Sequence, residues 1–89
     1  KNSDGPSLEE LITIYKNNPD NLDNILILSD KYFVEKKIEE AFELLFSNFI
    51  KFKDKDKIKK TLLKYFEVLG NEHEQTKIYR RKLSSILFI

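Results

Sequence analysis

Apolar residues recur along this chain at intervals of three and four, separated by short polar stretches, and that spacing predicts helices from one end to the other. Leu8, Leu11, Ile12 and Tyr15 share one helical face, with Ser7 and Glu10 spaced as a capping box in front of them, so a first helix is expected over residues 8–17. Asn17-Asn18-Pro19 ends it, and Asp20 or Asn21 is placed to cap a second helix running to about Glu35. Its apolar positions include Leu22, Ile25, Leu26, Leu28, Tyr32 and Phe33. The run Ile25-Leu26-Ile27-Leu28 could form a short strand, but the residues around it keep a period of about 3.6 rather than 2.

After a break at Lys36-Lys37, Ile38, Ala41, Phe42, Leu45, Phe49 and Phe52 form one stripe, widened by Leu44, Phe46 and Ile50. A third helix that is apolar over more than half its circumference must be covered on two sides. Residues 51–60 alternate in charge, which predicts a solvated turn with Asp54 or Asp56 capping the fourth helix. In that helix Ile58, Leu62, Tyr65, Phe66 and Leu69 give the clearest amphipathic pattern, stopped at Gly70. Asn71, with Glu74 three residues on, opens a fifth helix whose inner face is expected to be Ile78, Tyr79, Leu83, Ile86 and Leu87. The fold class is therefore all-α: about five antiparallel helices and no sheet.

Composition sets the scale of this fold. With 89 residues, 40% of them hydrophobic, the chain suits one domain with a modest core. The Asn, Ser, Asp, Gly and Pro of residues 1–6 read as linker, leaving 7–89 as the helical domain. No Cys and a single His exclude a Cys/His zinc site, a disulfide framework and a Cys nucleophile. Two Gly and no Gly-x-x-x-x-Gly-Lys run leave no phosphate loop. No apolar stretch approaches the roughly 18 residues of a membrane span. A chain with no Met that begins Lys1-Asn2-Ser3 reads as a fragment of a longer protein.

The spacing hides a repeat. From Leu22, the chain offers Ile25 and Leu28 on one helix, Ser29 in a small close-contact slot and Tyr32 three residues on, then Ile38, Ala41 and Leu45 on the next. This resembles a tetratricopeptide repeat, a unit of about 34 residues in which small side chains let two antiparallel helices nest. Asn48 and Lys53 depart from the usual small residue and Pro near its end. One such unit cannot bury its own faces, so the flanking helices must act as neighbours or caps in a right-handed stack.

A narrower resemblance lies in residues 62–71, Leu-Leu-Lys-Tyr-Phe-Glu-Val-Leu-Gly-Asn, and 78–88, Ile-Tyr-Arg-Arg-Lys-Leu-Ser-Ser-Ile-Leu-Phe. Together with the Pro19-Asp20-Asn21 lead-in, these look like the C-terminal tetratricopeptide-like region of YbbN-type thioredoxins, the chaperedoxin co-chaperones. The charged stretch 53–57 departs from that family's usual turn. The resemblance implies an upstream thioredoxin-like domain in the parent chain, a cytoplasmic location, and a holdase-like role with chaperones or unfolded clients as protein partners.

Eleven Phe and Tyr residues bear on that role. Phe42, Phe49, Tyr65 and Phe66 are expected in the core, whereas Phe33, Phe46, Ile50 and Phe52 lie off the main stripes or at a helix end and are the candidates for an exposed binding patch. Charge is uneven: residues 1–45 carry five bases against ten acids, a net of −5, and residues 46–89 carry eleven against five, a net of +6. Lys77, Arg80, Arg81 and Lys82 could present a surface to an acidic partner, or Arg80 and Arg81 could pair with acids such as Glu67 on the neighbouring helix. Interleaved Asp and a pI near 8.1 fall short of a nucleic-acid footprint, so no nucleic acid is expected. His73 between Glu72 and Glu74 reads as a surface residue, because neighbours in a helix's first turn point apart.

These readings converge on a protein-interaction module with no enzymatic activity, no cofactor and no metal. A partner segment or unfolded client is expected in a groove lined by the first helix of each pair, with the basic C-terminal half orienting it; the candidate contact residues are Lys31, Tyr32, Phe33, Arg80 and Arg81. The alternative is a structural domain that forms a homodimer through Ile86-Leu87-Phe88-Ile89 and binds no client.

Overall fold

A computed structural model of the chain describes residues 6–52 and 55–87. It contains α1 (Leu8–Asn17), α2 (Leu22–Val34), α3 (Ile38–Phe49), α4 (Asp56–Leu69) and α5 (Glu74–Leu87), and no strand among the described residues. The chain divides into two compact units, residues 1–48 and 49–89.

In the first unit, α1 starts from the expected capping box: the Ser7 amide donates to Glu10 Oε1 at 2.9 Å and the Glu10 amide to Ser7 Oγ at 3.2 Å. Asn21, rather than Asp20, caps α2, its Oδ1 accepting from the Asn24 amide at 3.1 Å. The two helices pack along each other. Small residues matter on α2 and α3, where Ser29 and Ala41 are fully buried. Ser29 returns its hydroxyl to the Leu26 carbonyl at 2.9 Å, so a polar side chain costs little in that slot.

The third helix carries two adjacent buried rows, Ala41-Leu45-Asn48 and Phe42-Phe46-Phe49, each spaced i, i+4, i+7. That arrangement corrects the expectation for Phe46, which is buried and belongs to no surface patch. A helix with two such rows has no apolar side left to expose there. Asn48, the departure from a small residue, is buried because its amide is satisfied: Nδ2 donates to the Leu44 carbonyl at 2.8 Å and faces the Tyr15 hydroxyl of α1 at 3.5 Å. The helix also ends at Phe49, a turn before Phe52, which is half-buried outside it.

In the second unit, Ile58, Leu62, Tyr65 and Phe66 of α4 are buried as the pattern predicts. Gly70 ends the helix at φ +90° and ψ 156°, a region that essentially only Gly enters, while its amide donates to the Phe66 carbonyl at 2.8 Å. In the charged stretch 51–60, Lys51, Asp56, Lys57, Lys59 and Lys60 are exposed as expected, and Lys55 is the exception among its described charged residues. Lys55 is half-buried, its Nζ bonded to the Phe52 carbonyl and 5.6 Å from the Phe49 ring centre. Asp56 does not cap α4, because it already lies in the first turn while Lys55 holds the cap position without a side-chain bond; Asp54, the other expected cap, lies outside the described residues.

The fifth helix is rotated from expectation. Its buried row is Thr76, Tyr79 and Leu83, with Ile86 half-buried, and Ile78 and Leu87 are exposed. Thr76 is a small residue and opens the row, which turns Ile78, about 200° further round the helix, to solvent. His73 rather than Asn71 serves the helix start: its Nδ1 accepts from the Gln75 amide at 3.1 Å. Residues 1–5, Phe88 and Ile89, and with them most of the expected linker and half of the expected dimer interface, lie outside the described residues.

The turn from α2 into α3 places Lys36 at φ +66°. The Lys37 amide bonds to the Tyr32 carbonyl at 2.8 Å and the Lys36 amide to the Phe33 carbonyl at 3.1 Å, the paired bonds of a Schellman stop. Glycine relieves a side chain of that left-handed conformation. Lys36→Gly is therefore expected to stabilise the protein by about 1 kcal/mol after the entropy of the unfolded chain is subtracted. In a thermal melt this corresponds to a rise of roughly 4–8 °C.

Candidate functional site

The outward side of α2 is unusual for a helix facing water. Ile25, Leu28 and Ser29 face inward, whereas Ile27, Lys31 and Val34 form a second row at i, i+4, i+7 on the exposed side. Val34 is 74% exposed and Ile27 50%. With Pro6, Leu11 and Asp30, these residues line an open groove of about 310 Å³. The sequence signal for this row is the unbroken run Ile25-Leu26-Ile27-Leu28, since four consecutive apolar residues cannot all fit one face of a helix.

Three of the expected contact residues sit on the same helix. Lys31 lines the groove, and its Nζ pairs with Glu35 Oε2 at 3.4 Å, one turn along the helix. Tyr32 and Phe33 are half-buried. Burial, helped by the negative charge of Glu40 and by Tyr15, raises the Tyr32 phenol above its ordinary value of 10.0.

Arg80 and Arg81 belong to the second unit, on α5, the later helix of the α4–α5 pair. Both are exposed. Arg80 Nη1 donates to Asn71 Oδ1 at 2.7 Å, so the anchoring contact across the α4–α5 turn is an amide and not Glu67. This pair, with Leu63, Phe66, Glu67 and Gly70, lines a depression of about 350 Å³. Arg81 and Lys77 flank the exposed Ile78.

The second unit carries a larger apolar groove of about 530 Å³ lined by Phe49, Ile50, Lys55, Ile86 and Leu87. Ile50, one of the expected patch residues, is 74% exposed and forms part of its wall. The chemistry these surfaces offer is adhesive. Apolar side chains stand beside single fixed cations, and among the described residues no three His, Cys, Asp or Glu side chains gather for a metal. The imidazole of His73 is occupied with the start of α5. No described helix is long and apolar enough to cross a membrane.

The model of the tetratricopeptide repeat family matches residues 1–88. No curated protein and no solved structure matches the chain.

Tyr32 gives a pH test of the packing around α2. A phenol whose pKa is raised in the folded state holds its proton longer there than in the unfolded chain. The stability associated with it is fully present below pH 10 and is lost as pH rises through the folded value. Tyr32→Phe is expected to make the fall in unfolding free energy above pH 10 shallower than in the wild type, as read by urea melts across alkaline pH.

Proposed function

Because the chain belongs to the tetratricopeptide repeat family, a fold that mediates protein–protein interaction, we propose that it takes an apolar segment of a protein partner on the outward row of α2. The observation that carries this reading is Ile27 and Val34 standing exposed in one row, with buried Leu11 in the lining of the same groove. A helix gains nothing by holding two branched apolar side chains in water, so a row of them beside a groove points to a covered state. Affinity comes from these side chains; Lys31 and the acids around it orient the partner.

The partners we propose are chaperones or unfolded clients, in a holdase-like role, with the parent chain carrying a thioredoxin-like domain in the cytoplasm. What supports this finer reading is the likeness of residues 62–71 and 78–88 to the helical region of YbbN-type thioredoxins. Redox chemistry then belongs to that other domain, since this chain has no Cys. Arg80 and Arg81, on the exposed side of α5, would meet acidic groups of the partner.

Light scattering from a heat-denatured reporter enzyme tests the α2 row. Wild-type protein is expected to delay aggregation, and Ile27→Glu combined with Val34→Glu to require roughly tenfold more protein for the same delay, since burying two exposed aliphatic side chains is worth on the order of 1–3 kcal/mol. Equal protection by the two proteins, both helical by circular dichroism, would contradict the assignment of the row.

A further inference from the structure

The last helix carries a charged face of its own. From Glu74 to Leu87, α5 holds Lys77, Arg80, Arg81 and Lys82 against the single acid Glu74, which opens the first turn. At about 100° per residue, these bases do not share one side. Arg80 lies roughly 200° round the helix from Ile78, and its Nη1 is bonded to Asn71 Oδ1 at 2.7 Å in the depression that also contains Glu67. Arg81 and Lys82 lie within roughly 60° of Ile78, one on either side, and Lys77 adjoins it in the chain. The basic cluster is therefore split: one arginine is committed to the α4–α5 turn, and three cations surround an exposed aliphatic side chain.

Ile78 is 50% exposed, and with Lys77 and Arg81 it lines an open depression of about 240 Å³. Among the described residues neither Lys77 nor Arg81 is held in an ion pair. Lys82 Nζ stands 5.9 Å from the Tyr79 ring centre. Three and four positions away along the helix, Arg81 and Lys82 meet no acid, and Lys77 meets only Glu74. Three cations against that carboxylate leave a local excess of +2, which Glu72, in the turn before the helix, lowers no further than +1.

That excess sets the chemistry of the occupant. Lys77 and Arg81 stand at i, i+4, a like-charge spacing that weakens a helix in water and is relieved when carboxylates lie between them. Ile78, between the same two residues, is relieved by an apolar side chain. A lipid surface would need a broad apolar face, but Tyr79 and Leu83 of this helix are in the core. A nucleic acid would need a longer basic track with rings for its bases to stack on, and an isoleucine offers none.

We propose that the Lys77–Ile78–Arg81 face of α5 docks an acidic protein segment in which Asp or Glu residues flank one Leu or Ile. The aliphatic side chain sits on Ile78, Arg81 takes a carboxylate through two parallel N–H donors, and Lys77 supplies a second charge one turn away. This rests on the proposed contact between α5 and acidic groups of a partner; it moves that contact off Arg80 and gives it an apolar centre. The face lies within the second unit and shares no residue with the α2 row.

Fluorescence anisotropy with a labelled peptide of Glu residues around one central Leu tests the face, and amide chemical shifts of the protein locate the contact. Binding is expected to fall at least tenfold when salt is raised to about 0.5 M, with shifts centred on residues 77–82. Lys77→Gln with Arg81→Gln is expected to weaken binding about tenfold, the scale of two exposed charge pairs, and Ile78→Ser roughly fivefold. Lys57→Gln with Lys60→Gln, which removes the same charge from exposed positions of α4, is expected to change it less than about twofold. All these side chains are exposed, so each variant keeps its core, which circular dichroism checks.

Equal losses in the two double variants would overturn the proposal, because the peptide would then respond to net charge alone. So would equal binding of a peptide with Gln in place of Glu, or tighter binding to phosphatidylserine vesicles or single-stranded DNA than to the acidic peptide. A wild type that protects the denatured reporter but does not bind the peptide overturns this face and leaves the α2 row standing. Peptide binding by a wild type that gives no protection does the reverse.

Discussion

The two apolar rows of α3 are the constraint on which the structure depends. Ala41-Leu45-Asn48 and Phe42-Phe46-Phe49 lie side by side, and a twelve-residue helix carrying both has too little polar surface to sit at an edge. Burying the three Phe side chains contributes on the order of several kcal/mol, comparable with the whole stability of a domain this small. Ser29 and Ala41 keep bulk low on α2 and α3, and α2 must turn its Ile25-Leu28 side inward to bury it. The contact from Asn48 toward Tyr15 ties α1 to α3 through a polar pair that has a partner at each end.

What α2 gives to the core, it cannot give to the surface, and the reverse also holds. A helix with apolar residues on two opposite rows can bury only one of them against its neighbours. Ile27 and Val34 are what remains. The same reasoning applies where α3 ends at Phe49: Ile50 continues the apolar run after the helix has stopped, and its side chain becomes the wall of a groove. Exposed apolar surface in this protein therefore arises at positions where the apolar pattern runs past the face or the length that the core can use. Repeat folds use such surplus to bind, because their stacked helices present it as an extended surface.

Much of the fold is legible in the residues. The capping box at Ser7 and Glu10, the cap at Asn21, the glycine stop at Gly70 and the small slots at Ser29 and Ala41 all follow from local chemistry that a sequence states outright. The departures share one cause, the rotation of a helix about its axis. Whether Thr76 or Ile78 faces inward depends on whether the helix pair needs a small residue at its closest approach, and periodicity alone does not rank those choices. Phe46 departs from expectation for a related reason, since a second buried row requires a covered second face. Lys55 shows the limit of reading charge as solvation: a lysine stem can lie along a ring and bond a backbone carbonyl while its neighbours stay in water. Of the expected contact residues, Lys31 lines a groove because it lies in the surplus row; Arg80 is held by Asn71, a partner nine positions away that no local rule selects.

Hydrogen exchange under native conditions tests this account most directly, because the buried double row makes α3 the last helix to open. The amides of Ala41 through Asn48 are expected to exchange only through global unfolding, slower than those of α1 and of the exposed side of α5 by an order of magnitude or more. Exchange of α3 as fast as α1, with another helix holding the slowest amides, would contradict the claim that the fold is organised around it.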